Sequence, residues 1–334
     1  MALALVIAYA MASPLPHLAP IFAWLLTMEP KKPLGFKGLL VLVPVTALTT
    51  GTGLLMIPLL SDYPATAILV VLIALFFSTY LSVSLGQVTV GMLLTIGITL
   101  ISAVGTVSFV AAIGVINGFL MAIVISISSQ WLVYPLFPED PVSLEPPAEK
   151  VGNEHALWIS VRTTLIVIPV YLLCLTNPLM YTALILKSVS LGQQSTVGDT
   201  KAAAKVLLGS TLMGGVLAIV FWFALKLNVS LWMFFLWMLL IGIGVAAKIY
   251  GLRASKYSVD FWSTALVTML ILLGPAVADS ANGKDVYQAF AVRLSLLFAV
   301  AIYAWITVLA LDQLRVRLRR GSSSLSATSA TING

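Results

Sequence analysis

The sequence predicts an all-α, polytopic integral membrane protein with about twelve transmembrane helices, arranged as two parallel six-helix repeats. Its 334 residues are 60% hydrophobic and 9% charged, whereas a soluble domain carries about 25% charged residues. The mean hydropathy is +1.07. The apolar residues form long continuous runs and do not alternate with polar ones, which indicates membrane helices and not a barrel.

The first half opens with two apolar runs, MALALVIAYAMA and IFAWLLTM, that flank the proline-rich stretch SPLPHLAP (Ser13 to Pro20). Neither run reaches the ~20 residues that a bilayer span needs. We interpret them as the short arms of a hairpin with a periplasmic turn. Four longer runs follow, at residues 36–60, 64–83, 88–106 and 108–134.

A break rich in proline and acid, PEDPVSLEPPAEKVGNE, separates the two halves. Its composition predicts an exposed, semi-stiff linker that is too short to be a domain. The predicted organisation is a first repeat at 1–137, a cytoplasmic linker at 138–154, a second repeat at 155–314 and a basic, disordered tail at 315–334. The runs of the second half are 157–175, 178–191, 200–226, 230–250, 259–278 and 286–312.

The two halves align at one constant offset. It places Tyr9 opposite Tyr171, Pro16 opposite Pro178 and Gly53 opposite Gly215. Because each unit holds an even number of helices, both units begin on the same side, which predicts a repeat axis along the membrane normal.

Basic residues indicate the orientation. With a cytoplasmic N-terminus, fifteen of the 18 Lys and Arg residues fall on the cytoplasmic side and three fall outside, as the positive-inside rule requires. The prediction is therefore that both termini and the linker are cytoplasmic. A net charge of +6 then needs no nucleic acid, since basic loops beside anionic lipid account for it. The fifteen are Lys31, Lys32, Lys37, Lys150, Arg162, Lys187, Lys201, Lys205, Lys248, Arg253, Lys256, Arg315, Arg317, Arg319 and Arg320; the three are Lys226, Lys284 and Arg293.

The start of the chain allows two interpretations. The repeat gives the first residues a helix to form, and its alignment suggests that the native N-terminus is longer. The alternative is a signal peptide ending at AYA, although no Lys or Arg precedes the apolar run.

The residues that carry most enzyme chemistry are scarce. The chain has one cysteine, Cys174, and two histidines 138 positions apart, and it lacks HExxH, GxxxxGK[ST] and GxSxG. We therefore expect no catalytic residue, no metal and no cofactor, and a protein that is not an enzyme or an ATP-driven pump.

Each half contains a Pro-initiated short helix, a polar turn, and a long helix entered by lysines and carrying a Thr/Gly-rich stretch. The two segments are PHLAPIFAWLLTMEPKKPLGFKGLLVLVPVTALTTGTGLL and NPLMYTALILKSVSLGQQSTVGDTKAAAKVLLGSTLMGGVLAI. This pattern resembles the fusaric acid resistance (FUSC) superfamily, which includes aromatic acid exporters and aluminium-activated malate transporters. The resemblance is closest to its small two-repeat members, the DUF2955 family.

The resemblance implies an inner-membrane secondary transporter that exports aromatic or amphipathic organic acids, driven by the proton gradient. It also implies a periplasmic partner of the HlyD (membrane fusion) type. The larger exporters carry a sizeable cytoplasmic domain, for which this chain has only the linker and the tail. Two alternatives stay open: an organic anion channel, as in the malate-transporter branch, and a non-transporting membrane scaffold. The substrate and the oligomeric state are not predicted.

Ionisable residues within spans are energetically expensive, so each suggests a function. Lys187, about nine residues beyond Pro178, is a candidate cation for a substrate carboxylate; the alternative is snorkelling to the headgroups. Arg293 is a second candidate, unless it pairs with Asp279 or Asp285.

His17 is a candidate for both substrate binding and proton coupling, although its repeat counterpart is Leu179. Asp260 is the other proton-coupling candidate, with capping of a helix start as the structural alternative. Pro178 and Tyr181 complete the substrate-binding candidates, because proline-interrupted short segments at matching positions in two halves indicate a transport site. We expect this site between the repeats, near the short second and eighth helices. Asn117 is interpreted as a hydrogen-bonding residue between helices.

Overall fold

A computed structural model describes residues 1–28, 33–86, 88–138, 153–193, 205–283 and 285–332. These ranges form helices joined by short connections and contain no β-strand. In chain order the helices are α1 (Ala2–Ala10), α2 (Leu18–Thr27), α3 (Phe36–Asp62), α4 (Pro64–Leu85), α5 (Val88–Ile96, continuing through π-helical Gly97–Ile101 into Ser102–Val107), α6 (Phe109–Val133), α7 (Asn153–Thr176), α8 (Pro178–Gln193), α9 (π-helical Lys205–Gly209 continuing as Ser210–Leu227), α10 (Leu231–Ile249), α11 (Val259–Ala281) and α12 (Val286–Ile332).

Nine helices within the described ranges are long and apolar enough to cross a membrane: α3 to α7 and α9 to α12. The chain is thus a multi-pass helical membrane protein, as the sequence predicts. The helices α1, α2 and α8 are shorter, with 9, 10 and 16 residues. Pro14 and Pro16 separate α1 from α2, and Pro178 begins α8 just after α7, since proline cannot donate to the helical ladder.

Two boundaries differ from the prediction. Helix α7 begins at Asn153, so the end of the predicted linker is already helical; residues 139–152 of that linker lie outside the described ranges. Helix α12 continues to Ile332, whereas composition predicts disorder over 315–334. An established helix extends at little cost, because each added residue gains a hydrogen bond without a new nucleation step.

The same kinds of helix pair recur in the two halves. Within the first half α2 packs on α6, and α3 packs on α4, α5 and α6; within the second α8 packs on α12, and α9 packs on α10, α11 and α12. Between the halves, α1 packs on α10 and α4 on α7, while α2 packs on α11 and α5 on α8. Helices α5 and α11 are the most enclosed spans, with 72% and 78% of their most apolar stretch buried, against 17% for α3.

Glycines on the third helix of each half allow neighbouring helices to approach closely. A Cβ on Gly53 would overlap the carbonyl oxygen of Gly97 in α5, and one on Gly214 would lie 2.6 Å from the carbonyl oxygen of Ala265 in α11. The Thr/Gly-rich stretches therefore serve packing, as small residues commonly do in membrane helices.

Replacing Gly53 by alanine is expected to destabilise the fold by about 3 kcal/mol, because the contact is with backbone that cannot rotate away. The matched control is Gly51→Ala in the same helix, where a Cβ has no neighbour within 4 Å; this variant should be neutral or slightly stabilising. Unfolding in mixed detergent micelles measures both. Equal stability of the two variants would contradict the close α3–α5 contact.

Candidate functional site

The short helix α2 is fixed to α11 by polar contacts. Trp24 Nε1 donates a hydrogen bond to Ser263 Oγ over 3.0 Å, and Ser263 Oγ donates in turn to Met28 Sδ over 2.9 Å. Trp24 is buried. Because a buried indole N–H needs a partner, this contact sets the rotation of α2 against α11.

The short helix α8 begins at Pro178, a residue type that fits the first helical position because the N–H it lacks would be unpaired there. Asn177 Oδ1 accepts a hydrogen bond from the Met180 N–H over 3.3 Å and caps the helix. Nine residues beyond Pro178, or ~14 Å along the helix, lies Lys187.

Lys187 is fully buried, with 0% of its surface exposed. Its Nζ donates a hydrogen bond to Thr268 Oγ1 of α11 over 2.6 Å. Within the described ranges this hydroxyl is its hydrogen-bond partner, and no described carboxylate lies within ion-pair distance of it. Snorkelling therefore does not describe this conformation, because the side chain points across to α11 and not towards the headgroups.

A cavity of about 290 Å³ lies between the halves, and Leu186, the residue before Lys187, is part of its wall. Its walls come from α2, α5 and α6 of the first half and from α8 and α11 of the second. Most of the lining is apolar, with Asp260, Ser263 and Thr264 as the polar exceptions. The lining residues are Leu18, Ile21, Phe22, Leu25, Met28, Met92, Ile96, Phe119, Leu186, Asp260, Ser263, Thr264, Val267 and Ile271.

Lys187 reaches the wall of this cavity through its neighbours. The preceding residue Leu186 lines the cavity, and the partner Thr268 lies one turn from both Thr264 and Ile271, which line it as well. Lys187 and Thr268 do not themselves line the cavity, so the ammonium group lies behind its wall, and a ligand carboxylate would reach it through a local movement of that wall.

One end of the cavity reaches the surface of the protein. Asp260 is exposed and lies in the first turn of α11, after Ser258, whose Oγ accepts a hydrogen bond from the Phe261 N–H over 3.3 Å. The helix start predicted from the sequence is present, with Ser258 as its cap. Leu25, which is 37% exposed, lies at the same end.

The other end is closed by the bend between α1 and α2. The His17 ring fills the space that a side chain on Gly274 would occupy, one turn beyond the lining residue Ile271. Leu15 lies against Gly118, at 3.1 Å from the position of a Cβ there. Gly118 is nine residues from the start of α6 and Gly274 seven from the end of α11, so both helices extend ~10–14 Å beyond the bend. The predicted turn lies well inside the bundle.

Arg293 lies elsewhere, on α12. Its Nη1 is 2.5 Å from Asp279 Oδ2 of α11, and both side chains are largely buried. This is the pairing with Asp279 that the sequence allowed, except that Asp279 belongs to α11 and not to the loop after it. The positive charge of Arg293 is thereby compensated within the protein.

The six predicted site residues thus do not form one cluster. Asp260 lines the cavity, Lys187 follows the lining residue Leu186, His17 lies against Gly274 at the far end, and Arg293 is ion-paired elsewhere. Pro178 is buried at the start of α8 and Tyr181 is half-buried one turn later; they position α8 and do not line the cavity. Arg162, one of the fifteen basic residues assigned to the cytoplasmic side, is the tenth residue of α7 and is buried.

The sequence-based prediction of site residues did not include the hydroxyl groups of α11. Asp260, Ser263, Thr264 and Thr268 recur at helical spacing along one face of an otherwise apolar span, and that polar stripe is the signal that could have indicated them. Among the described residues, no group of three or more His, Cys, Asp or Glu side chains is arranged to hold a metal ion.

The fold and the mainly apolar cavity define a polytopic membrane protein with a candidate small-molecule site between its halves. Residues 1–133, which cover α1 to α6, match the family model described as "Protein of unknown function (DUF2955)". No curated protein and no solved structure matches the chain.

Proposed function

We propose that this chain is a secondary transporter of the inner membrane that exports aromatic or other amphipathic organic acids and catalyses no covalent chemistry. The observation that carries the proposal is Lys187, a fully buried cation with a hydroxyl as its described partner, which directly follows Leu186 in the wall of a mainly apolar cavity. A buried ammonium group without a carboxylate partner is costly. A ligand with an apolar body and one carboxylate matches both the cavity wall and the charge.

The packing of the helices supports a two-repeat design. The pairs α1·α10 and α4·α7 are equivalent under the repeat offset, as are α2·α11 and α5·α8. In this proposal the twelve helices form two six-helix units related by an axis along the membrane normal, and the cavity lies where α2, α5, α8 and α11 meet.

Orientation by the positive-inside rule places both termini in the cytoplasm. The open end of the cavity, at Asp260 and Leu25, then faces the cytoplasm, and the end closed by His17 faces outwards. This conformation is suited to loading substrate from inside the cell. A periplasmic adaptor of the HlyD type would receive the exported acid on the other side.

One observation favours an organic anion channel as a second candidate. Proton coupling needs a carboxylate or histidine that can titrate in the pathway, but Asp279 is ion-paired with Arg293 and Asp260 lies at an exposed helix start. His17 is then the remaining candidate among the three. If it takes no part, anion flow would follow the electrochemical gradient alone.

The test uses the purified chain in liposomes, with benzoate and its neutral analogue benzamide as probes. The proposal predicts protein-dependent flux of benzoate well above that of benzamide, corrected for passive leak in empty vesicles. Collapsing the pH gradient at fixed voltage should abolish accumulation by a proton-coupled exporter and leave channel flux unchanged. Absence of flux for benzoate and for a panel of larger aryl acids would favour the scaffold alternative and contradict transport.

A further inference from the structure

One polar side chain lies on the outer surface of a membrane span. Asn117 is the ninth residue of the 25-residue helix α6, so it lies ~6 Å from the helix midpoint. Its side chain is exposed, and no hydrogen bond joins it to another residue in the described ranges. The helices around α6 therefore do not supply the partner that the sequence predicts for it.

Hydrocarbon cannot supply that partner either. An amide moved from water to an apolar medium without a hydrogen bond is strongly disfavoured, and lipid tails have no donor or acceptor. Unlike serine or threonine, whose hydroxyls bond back to their own helix at many positions in this protein, asparagine presents both a donor and an acceptor away from the helix. The amide needs a partner from another molecule.

The surface around Asn117 forms a continuous stripe, which we call the α6 face. Its members are exposed or open and lie on one side of the helix: Val110, Ile113, Gly114, Asn117, Val124 and Ser128, with the half-buried Met121 between Asn117 and Val124. Gly114 lies one turn from Asn117, and a Cβ there would meet no atom within 4 Å. The missing side chain allows a second helix to approach the amide closely.

We propose that the α6 face binds a second copy of this chain in a parallel, twofold-symmetric dimer. Two copies in one membrane share an orientation, so a twofold axis along the membrane normal brings identical residues together at the same depth. The primary amide is complementary to itself, since the Nδ2 of each copy can donate to the Oδ1 of the other. Asn117 of a second copy therefore supplies both a donor and an acceptor at the same depth in the membrane as the first.

This inference does not depend on the proposed transport activity. A dimer would leave the cavity of each copy intact, because the cavity is lined from α6 by Phe119, which is buried on the side of α6 away from the α6 face. Transport and dimerisation can accordingly succeed or fail separately.

The experiment measures subunit number by single-molecule photobleaching of the full chain in liposomes over a range of protein-to-lipid ratios. Wild type should be dimeric, and Asn117→Leu should raise the dimer dissociation constant about 3- to 30-fold, as loss of interhelical amide bonds does. Gly114→Ile should also weaken the dimer, since it blocks close approach without meeting any atom of its own chain.

The matched control is Ser295→Leu. Ser295 is an exposed polar residue at the tenth position of α12, the last helix of the second half, and its hydroxyl bonds to Val292 of its own helix. This variant should dimerise like wild type.

A second experiment tests the location of the interface by cross-linking. A Val124→Cys variant in a Cys174→Ala background should form an intermolecular disulfide on oxidation. The proposal is overturned if wild type is monomeric at all protein-to-lipid ratios and no cross-link forms at Val124, because the α6 face then contacts lipid. If wild type is dimeric but neither Asn117→Leu nor Gly114→Ile weakens the dimer, the dimer interface does not lie on the α6 face.

Discussion

Lys187→Met is expected to abolish organic anion transport while making the protein more stable. Methionine keeps the length and the packing of the side chain but removes the charge that would bind a carboxylate. We expect flux of benzoate to fall at least 10-fold. At the same time the free energy of unfolding should rise by about 1–3 kcal/mol, because a charged residue at the centre of a membrane helix costs ~2.5–3.5 kcal/mol and the hydrogen bond to Thr268 recovers only part of this.

The opposite signs of the two effects separate function from structure. A residue kept for stability would lose stability and flux together, whereas a buried group kept for binding is unfavourable in the empty protein. Proteoliposome flux and unfolding in mixed micelles provide the two measurements. Lys187→Arg should retain part of the flux, and Lys226→Met is the matched control, since Lys226 lies over the Tyr287 ring at 4.4 Å and away from the cavity. Full flux in Lys187→Met would refute the site assignment.

Arg293→Met is expected to destabilise the fold by about 3–5 kcal/mol, the largest stability effect that we predict. The substitution leaves the carboxylate of Asp279 largely buried without its cation at 2.5 Å, and loss of one member of a buried ion pair typically has this effect. Thermal or denaturant unfolding of the detergent-solubilised protein measures it.

The double variant Arg293→Met/Asp279→Leu should recover most of that stability, since no isolated charge remains. Flux of the folded Arg293→Met protein, measured at a temperature below its transition, should stay near wild type because its guanidinium does not line the cavity. A single variant within 1 kcal/mol of wild type would contradict a structural ion pair. If the folded variant loses affinity for benzoate, Arg293 would instead be a residue of the substrate-binding site.

Hydropathy alone predicted the long helices well, because a span must satisfy its backbone internally and must match the thickness of the bilayer. The run at 64–83, for example, corresponds to α4 at Pro64–Leu85. The proline-interrupted segments also marked α2 and α8, two of the five helices that line the cavity. These features depend on local composition, which a single sequence displays directly.

Side-chain direction was not predictable in the same way. From its position on α8, the Lys187 side chain could have reached either the headgroups or a neighbouring helix. The packing of α11 against α8 determines that it reaches Thr268. Asn117 was interpreted as a hydrogen-bonding residue between helices, yet its side chain is exposed and no helix of the described ranges supplies its partner. The depth of the bend at His17 depends on how far α6 and α11 extend beyond it. The residues around His17 do not indicate this distance.

The position of that bend has a consequence for the response to membrane voltage. The α1–α2 bend ends ~10–14 Å short of the ends of its neighbours, so in the proposed orientation the barrier between the far end of the cavity and the outside would be thinner than the bilayer. For a water-filled cavity the potential falls mainly across such a barrier, where moving one charge through the full drop is worth ~2.3 kcal/mol per 100 mV. Under the proposed function, an organic anion that leaves past His17 towards a positive exterior would release most of that energy in crossing this barrier, so the resting potential itself would drive much of its export.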